Sequence, residues 1–300
     1  MDVEELEAYI RLGEAHSSVL NAFKEKIKAG TRVIDIISDS ENLIRELGYR
    51  LAFPTNLSIN DVAAHYTSPP EDSSVIPEIG IVKIDMGSHL NGLIVDAARS
   101  IALDEKLEEM VEVARDALDK AVESMWPGKR IRDVSEVIYS TIVAAGYKPI
   151  QNLTGHKIEK FRLHAGVDIP NIPVRGYYKI KEGDVFAIEP FVTLPEARGT
   201  VAPIGDPLIF SYKRKVRTRD EMERRVIKLV EKKYNKLPFC ERWLVSDIGH
   251  RVNHALLRLI RRGSLRDYPP LMEMSNKVVA QYEDTVLVTS DGPVRLTYEK

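Results

Sequence analysis

Cysteine is nearly absent from this 300-residue chain, with Cys240 the one example. No intramolecular disulfide is possible, so a reducing compartment, the cytoplasm, is the natural setting. Long apolar runs are missing as well. None approaches the ~18 residues that a membrane span needs. The first stretch, MDVEELEAYI, is acidic and amphipathic, without the basic and apolar regions of a secretory leader. In that setting the Asn-x-Ser/Thr triplets at Asn56 and Asn152 read as chance matches. A surplus of one charge is also lacking. The formal net charge is −2, which excludes a chain that is cationic throughout to wrap nucleic acid. The charged fraction, 29%, is somewhat above the ~25% of ordinary globular chains, a weak pointer to a heat-adapted source.

What is present suffices for a sizeable core. Apolar residues make up 44% of the chain, enough for one large domain or two modest ones. Leu6, Ile10, Val19, Leu20, Phe23 and Ile27 form a helical stripe over 3–29, stopped by Gly30. A second helix is expected over 31–47. The segment FPTNLSINDVAAHYTSPP is polar, contains proline and shows poor periodicity, so it reads as irregular. A hairpin is expected over 79–102, and helices over 105–125 and 132–145. Strands follow over 150–193, then a charged helical stretch over 218–262, then strands again over 277–299.

The hairpin VKIDMGSHLNGLIVDAARS carries Asp85 and Asp96 inside its two apolar runs. A four-residue loop, His89-Leu90-Asn91-Gly92, would set Asp85 directly opposite Asp96, with Cβ atoms about 4.5–5.5 Å apart. A two-residue Asn91-Gly92 turn would pair Asp85 with Ala98 instead. We expect the longer loop. Two ionised carboxylates that close repel, so one pKa rises or a cation sits between them. On the hairpin alone, one aspartate facing solvent or a helix N-terminus stays open.

Other acids stand in similar places. Glu189 lies in VFAIEPF and Glu283 in AQYEDTVLV, both apolar strand sequences, and His156 follows a glycine in NLTGHKI. Four carboxylates and one imidazole suit two divalent ions, whose charge the acids balance. Oxygen-rich ligation with one nitrogen and no thiolate fits Mn, Fe, Co or Zn. GIVKID, ending at Asp85, also echoes DVFAIE, ending at Glu189. Either strands after glycine turns look alike, or two related halves present acids to one centre. His65 and His164 lie near these acids in segments of little regular structure, where functional loops concentrate. His250 and His254 are one helical turn apart but have no acid to complete a metal set.

Taken in order, His65 in HYT, Asp85 and Asp96 in IDMGSHLNGLIVDAA, His156 in GH, His164 in LHAG, Glu189 in AIEP and Glu283 in QYEDT resemble the methionine aminopeptidases. The resemblance covers nearly the whole chain. The long interval between Glu189 and Glu283, together with NLTGHKIEKFRLHAG and DYPPL, resembles type II, in its archaeal form without a charged N-terminal extension. It implies an α/β (α+β) pita-bread fold: pseudo-twofold halves around a curved antiparallel sheet, residues 1–192 and 273–300. A helical, winged-helix-like insert would occupy 193–272. It implies that Asp85, Asp96, His156, Glu189 and Glu283 hold two divalent metal ions, and that Glu189, His65 and His164 are catalytic. Phe53, Leu163 and Tyr268, with the two histidines, would bind the substrate. The implied reaction is metal-assisted removal of an N-terminal methionine from peptides and nascent chains when the second residue is small. A proline-specific aminopeptidase or dipeptidase on the same fold is the rival. Such enzymes usually carry a domain ahead of the catalytic one, and the first acid here already stands at position 85.

A non-catalytic, ribosome- or RNA-binding homologue is the other alternative. Residues 211–236 hold eleven Lys/Arg against four Asp/Glu. They offer either a ribosome contact or a solvated helix face. Every ligand position is filled, against the ligand loss that reading requires. A monomer is the default.

Overall fold

The structure is a computed structural model and describes residues 3–250 and 252–299. Helix α1 spans Val3–Lys24 and α2 Val33–Glu46. In α2 the buried residues Val33, Ile36, Ile37, Ser40, Glu41 and Ile44 fall on one stripe, the period of a helix with one face on a core. These helices cover strands β1 (Arg50–Ile59), β3 (Ile81–Leu90) and β4 (Leu93–Ala102); a short strand β2 (Val62–Ala64) follows β1. The three long strands form an antiparallel sheet in the order β1-β3-β4. The segment read as irregular is therefore largely strand. Pro54 hides it: β1 carries register shifts on both sides of Phe53, the second across Pro54, whose nitrogen cannot join the ladder, and the bulges break the alternation.

The second half repeats the plan. Helices α3 (Glu108–Glu123) and α4 (Ile131–Ala144) pack together and precede β5 (Lys148–Pro149), β6 (Thr154–Ile158), β7 (Asp168–Pro170), β8 (Val185–Ile188) and β9 (Phe191–Thr193). The chain returns near its end as β15 (Val279–Gln281), β16 (Asp284–Thr289) and β17 (Gly292–Arg295). One sheet runs β17-β16-β8-β6-β7, and β15 pairs with β9. The halves are sewn together where Ala98 and Glu283 exchange backbone hydrogen bonds of 3.1 and 3.0 Å. Buried Lys83 adds a stitch, donating to the carbonyls of Asn60 and Val279, each at 2.9 Å. Separate apolar clusters back the two halves, one under α1 and α2, the other under α3 and α4.

Between β9 and β15 lies a unit with its own core. Strands β11 (Ile209–Tyr212), β12 (Phe239–Cys240) and β13 (Leu265–Tyr268) form a small sheet against helices α5 (Glu221–Lys233), α6 (Glu241–Ile248) and α7 (Val252–Arg261). Phe210, Val226, Phe239, Leu244, Leu256 and Leu259 pack among themselves inside it. The two stems of this unit, β10 (Val201–Pro203) and β14 (Leu271–Glu273), join β2 in a sheet of the order β10-β14-β2. No helix among the described residues is long and apolar enough to cross a membrane.

Candidate metal centre and substrate cavity

The hairpin differs from its sequence expectation. Leu90 pairs with Leu93 around a two-residue turn, so Asp85 faces Ala98 and Asp96 faces Gly87. Asn91 and Gly92 both have positive φ, 51° and 94°, which matches the twist of a tight hairpin where a longer loop does not. The two aspartates still share a face. The alternative registers differ by two residues, and side chains change face only with an odd shift. Asp85 and Asp96 are diagonal neighbours, close enough that Asp96 adds to the cost of ionising Asp85. Gly87, opposite Asp96, leaves room for a ring: a Cβ there would sit 2.1 Å from the side chain of Phe53.

The glutamates also differ in detail. Neither is inside a strand. Glu189 follows the last residue of β8, where Pro190 interrupts the ladder, and Glu283 sits in the break between β15 and β16. These breaks lie where the halves meet, so both acids turn toward the aspartate pair. His156 stands mid-strand in β6, beside β8. Its Nε2 is 3.6 Å from Asp96 Oδ2 and 3.8 Å from Glu189 Oε1. Those separations are too long for hydrogen bonds. They suit two donors on one ion, each about 2.1 Å from it. One donor atom each from Asp96, His156 and Glu283 falls within 4.8 Å of the others.

All ten residues picked out in the sequence line a single cavity of about 300 Å³: the five donors, His65 and His164, and Phe53, Leu163 and Tyr268. No lysine or arginine is among its lining residues. Burial first, then mutual repulsion, drives the carboxyls of Asp85, Glu189 and Glu283 well above the usual carboxylate range. Burial alone raises Asp96 to about 8. Oδ1 of Asp85 and Oδ1 of Asp96 are buried without a hydrogen-bond partner. Unpartnered buried carboxylate oxygens, four acids and no cation form a donor set that a divalent metal fits and bare protein does not.

Around the acids the histidines are held neutral. Burial lowers His65 and His156 to about 4 each. His164, on the loop between β6 and β7, is pushed down by loss of solvent in the cleft and then by His156, His65 and Arg266. Its ring lies 4.3 Å from that of His156 and 6.5 Å from that of Tyr268, centre to centre. His65 has φ of +65°, a left-handed conformation that a non-glycine residue adopts at a cost, and meets Tyr268 edge-on at 5.7 Å. Tyr268 comes from the inserted unit, paired in register with Ile209, which also lines the cavity.

Several residues of the site escaped the sequence reading. Gln281 donates to Glu283 Oε2 at 3.0 Å. Thr285 Oγ1 accepts from the Asp96 backbone N–H at 2.7 Å. Asn56, in register with Asp85, has a buried Oδ1 with no partner. Gln281 and Thr285 flank Glu283 at a spacing of two, a strand period that was available as a signal. Asn56 lay in the stretch read as irregular.

The sequence profile of metallopeptidase family M24 matches residues 7–290, and the chain belongs to that family. Within it, the chain is similar to proteins named methionine aminopeptidase. It is 40% identical over 292 residues to the one from Thermococcus kodakarensis, covering 97% of this chain and 98% of that one. It is 38% identical over 299 residues to the one from Methanothermobacter thermautotrophicus, covering 98% and 99%. Among solved structures, the fold resembles a methionine aminopeptidase from Thermotoga maritima, at a TM-score of 0.70 and 24% identity over 100% of this chain and 98% of that one. It also resembles a thermophilic Arx1, at 0.89 and 17% over 100% and 92%. A prolidase from Pyrococcus furiosus gives 0.62 and 20%, with all of this chain spanning 65% of that one. The fold is thus the pita-bread fold expected from the sequence, and the family calls for divalent metal.

Proposed function

We propose that the protein is a methionine aminopeptidase that removes the first residue of peptides and nascent chains when the second residue is small. The observation that carries this reading is the convergence of five metal donors from both halves on one cavity walled by apolar side chains. Asp85, Asp96, His156, Glu189 and Glu283 would hold the divalent ions in this cavity. The ions are Co, Mn, Fe or Zn.

When bound, such ions make a water nucleophilic at neutral pH and polarise the carbonyl it attacks. The chain's own residues do the rest. Glu189 takes the water proton as general base. His164 and His65, neutral at pH 7, offer N–H donors to the scissile carbonyl and to the leaving amide nitrogen. Their low pKa values keep these positions uncharged, so they do not repel the substrate's free α-ammonium group. That group is drawn instead to the acidic centre. Phe53, Leu163 and Tyr268 form the side-chain pocket, with Ile209 and Leu271 beside them, a surface that suits a flexible thioether.

Residues 1–192 and 273–300 form the catalytic domain in this reading, and 193–272 the inserted winged-helix-like subdomain. The separate apolar core of the insert supports that division. The basic tract 211–236 has most of its cations exposed, which suits a contact with ribosomal RNA near emerging chains. We place the enzyme in the cytoplasm as a monomer. Its single cysteine, Cys240, is buried and free.

The decisive experiment is metal titration of chelated protein with Met-Ala-Ser and Ala-Pro-Ala as substrates, on wild type and Asp96→Ala. Divalent metal should restore cleavage of Met-Ala-Ser by wild type only. Activity in the chelated protein or in the variant would refute the metal centre. A preference for Ala-Pro-Ala would transfer the protein to the proline-specific branch.

A further inference from the structure

A second, larger cavity, about 720 Å³, lies between the first half of the body and the inserted unit. That volume is within the ~300–1,000 Å³ range of small-ligand sites. Its walls are α2 and the start of β1 on one side, and the end of α5 with α6 on the other. Arg45 and Arg50 line it from the body, and Lys232, Lys233 and Arg242 from the insert. Among the lining residues Glu41 is the only carboxylate.

Glu41 does not neutralise this set. It is already saturated, accepting from Arg242 at 2.9 and 2.8 Å, from the Trp243 indole at 2.7 Å and from Arg45 at 3.4 Å. Lys233 is drawn to Asp247, 2.7 Å away. Arg50 and Lys232 are exposed and have no carboxylate partner among the described residues. Of the five cations around this concave space, Arg50 and Lys232 are thus left without an acidic partner among the described residues. Two separately folded units bring these like charges together. In a cleft the field of such a set is focused, not dispersed. Ser38, Asn42 and Ser246 add neutral hydrogen-bonding groups to the same walls.

We propose that this cleft is a binding site for a small polyphosphate-type anion, held by Arg50 and Arg45 from the body and Lys232 from the insert. Guanidinium groups match phosphate oxygens in pairs, and the lysine supplies a point charge. The site is distinct from the acidic centre but shares its wall. Leu237 lines the basic cleft and the next residue, Pro238, lines the catalytic cavity; Leu51 and Phe53 divide in the same way. A bound anion would therefore brace the seam between body and insert beside the substrate pocket.

Tripolyphosphate titrated by calorimetry is the test. It is run on both metal-loaded and chelated enzyme, so that capture of the catalytic metal is not read as binding to the chain. Arg50→Glu/Lys232→Glu is compared with Lys215→Glu/Arg217→Glu, the same change of charge outside the cleft. Wild type and the second pair should bind alike, and the first pair about tenfold more weakly or worse, a difference of about 1.4 kcal/mol or more. Retained peptidase activity reports intact folding; if the reversal fails to fold, Arg50→Gln/Lys232→Gln takes its place with the same expectation. Equal loss in both pairs would reveal a diffuse field and overturn the site. So would equal binding by all three proteins, no binding at all, or binding of an RNA oligomer where tripolyphosphate fails.

Discussion

Arg242 of the inserted unit grips Glu41 of α2 through two parallel N–H···O bonds of 2.9 and 2.8 Å, across the seam between insert and body. Glu41 is 1% exposed, and its carboxylate also accepts the Trp243 indole N–H. This clamp fixes the unit that carries Tyr268 and Ile209 into the substrate cavity. Removing one partner strands the other charge in a dry place. Glu41→Ala should cost about 3–5 kcal/mol in denaturant unfolding. Arg242→Met on the Glu41→Ala background should recover part of the loss. In the single variant KM should rise more than kcat falls, because the pocket wall loosens while the metal donors stay in place. An unchanged unfolding midpoint in Glu41→Ala would contradict this account.

Gln281 holds Glu283 from within the same cavity wall. Its amide fixes Oε2 of that carboxylate. Partners of this kind are worth roughly 10–100-fold in metal affinity. Gln281→Leu keeps the shape of the strand but removes the donor. Metal titrations should show weaker binding by about that factor, with most activity recovered at high metal concentration. Full affinity in the variant would mean that Glu283 is oriented by backbone alone.

The acid cluster makes the stability of the chelated protein depend on pH in a defined direction. Burial lifts the folded pKa of Asp96 to about 8, far above its ordinary value of 3.8, so the folded state keeps a proton that the unfolded chain has lost. Stability from that proton is complete below the unfolded value and is lost as pH rises through the folded one. Buried histidines work in the opposite sense: His16, His65 and His156, lowered to about 3, 4 and 4, oppose folding as pH falls below 6.5. Between pH 6.5 and about 8 the carboxyl effect dominates, opposed above pH 7 by Lys83, whose ammonium pKa burial lowers to about 7. There the chelated protein should lose stability with rising pH, by up to about 1.4 kcal/mol per unit for each retained proton. Metal replaces those protons, so the shift in Tm on adding Mn or Co should grow across the same interval. A constant or shrinking shift would mean the acids are not buried together.

The chemistry of the site was more legible in the sequence than its geometry. Acids inside apolar runs at Asp85, Asp96, Glu189 and Glu283 announce themselves, because burying a carboxylate has a large cost that something must offset. The register of the hairpin did not. Both candidate loops keep the aspartates on one face, and only the left-handed backbone at Asn91 and Gly92 decides between them. Strand β1 was hidden by Pro54 and its bulges, and Asn56 with it. The basic cleft was invisible for another reason. Its cations come from 45, 50, 232, 233 and 242, and nothing local in either stretch says that the two will face each other.

The hydrogen bonds between Asp96 and Thr285 join residues 189 positions apart. Glu283 comes from the same late stretch of chain, and it closes the seam of the two halves against Ala98. While a ribosome is still making the chain, Asp85, Asp96, His156 and Glu189 can all have emerged with no site for them to belong to. On the proposed assignment, an unfinished copy of this protein is therefore proteolytically silent. On the proposed ligand set, metal uptake waits until the strand carrying Glu283 and Thr285 has docked on the hairpin of Asp96.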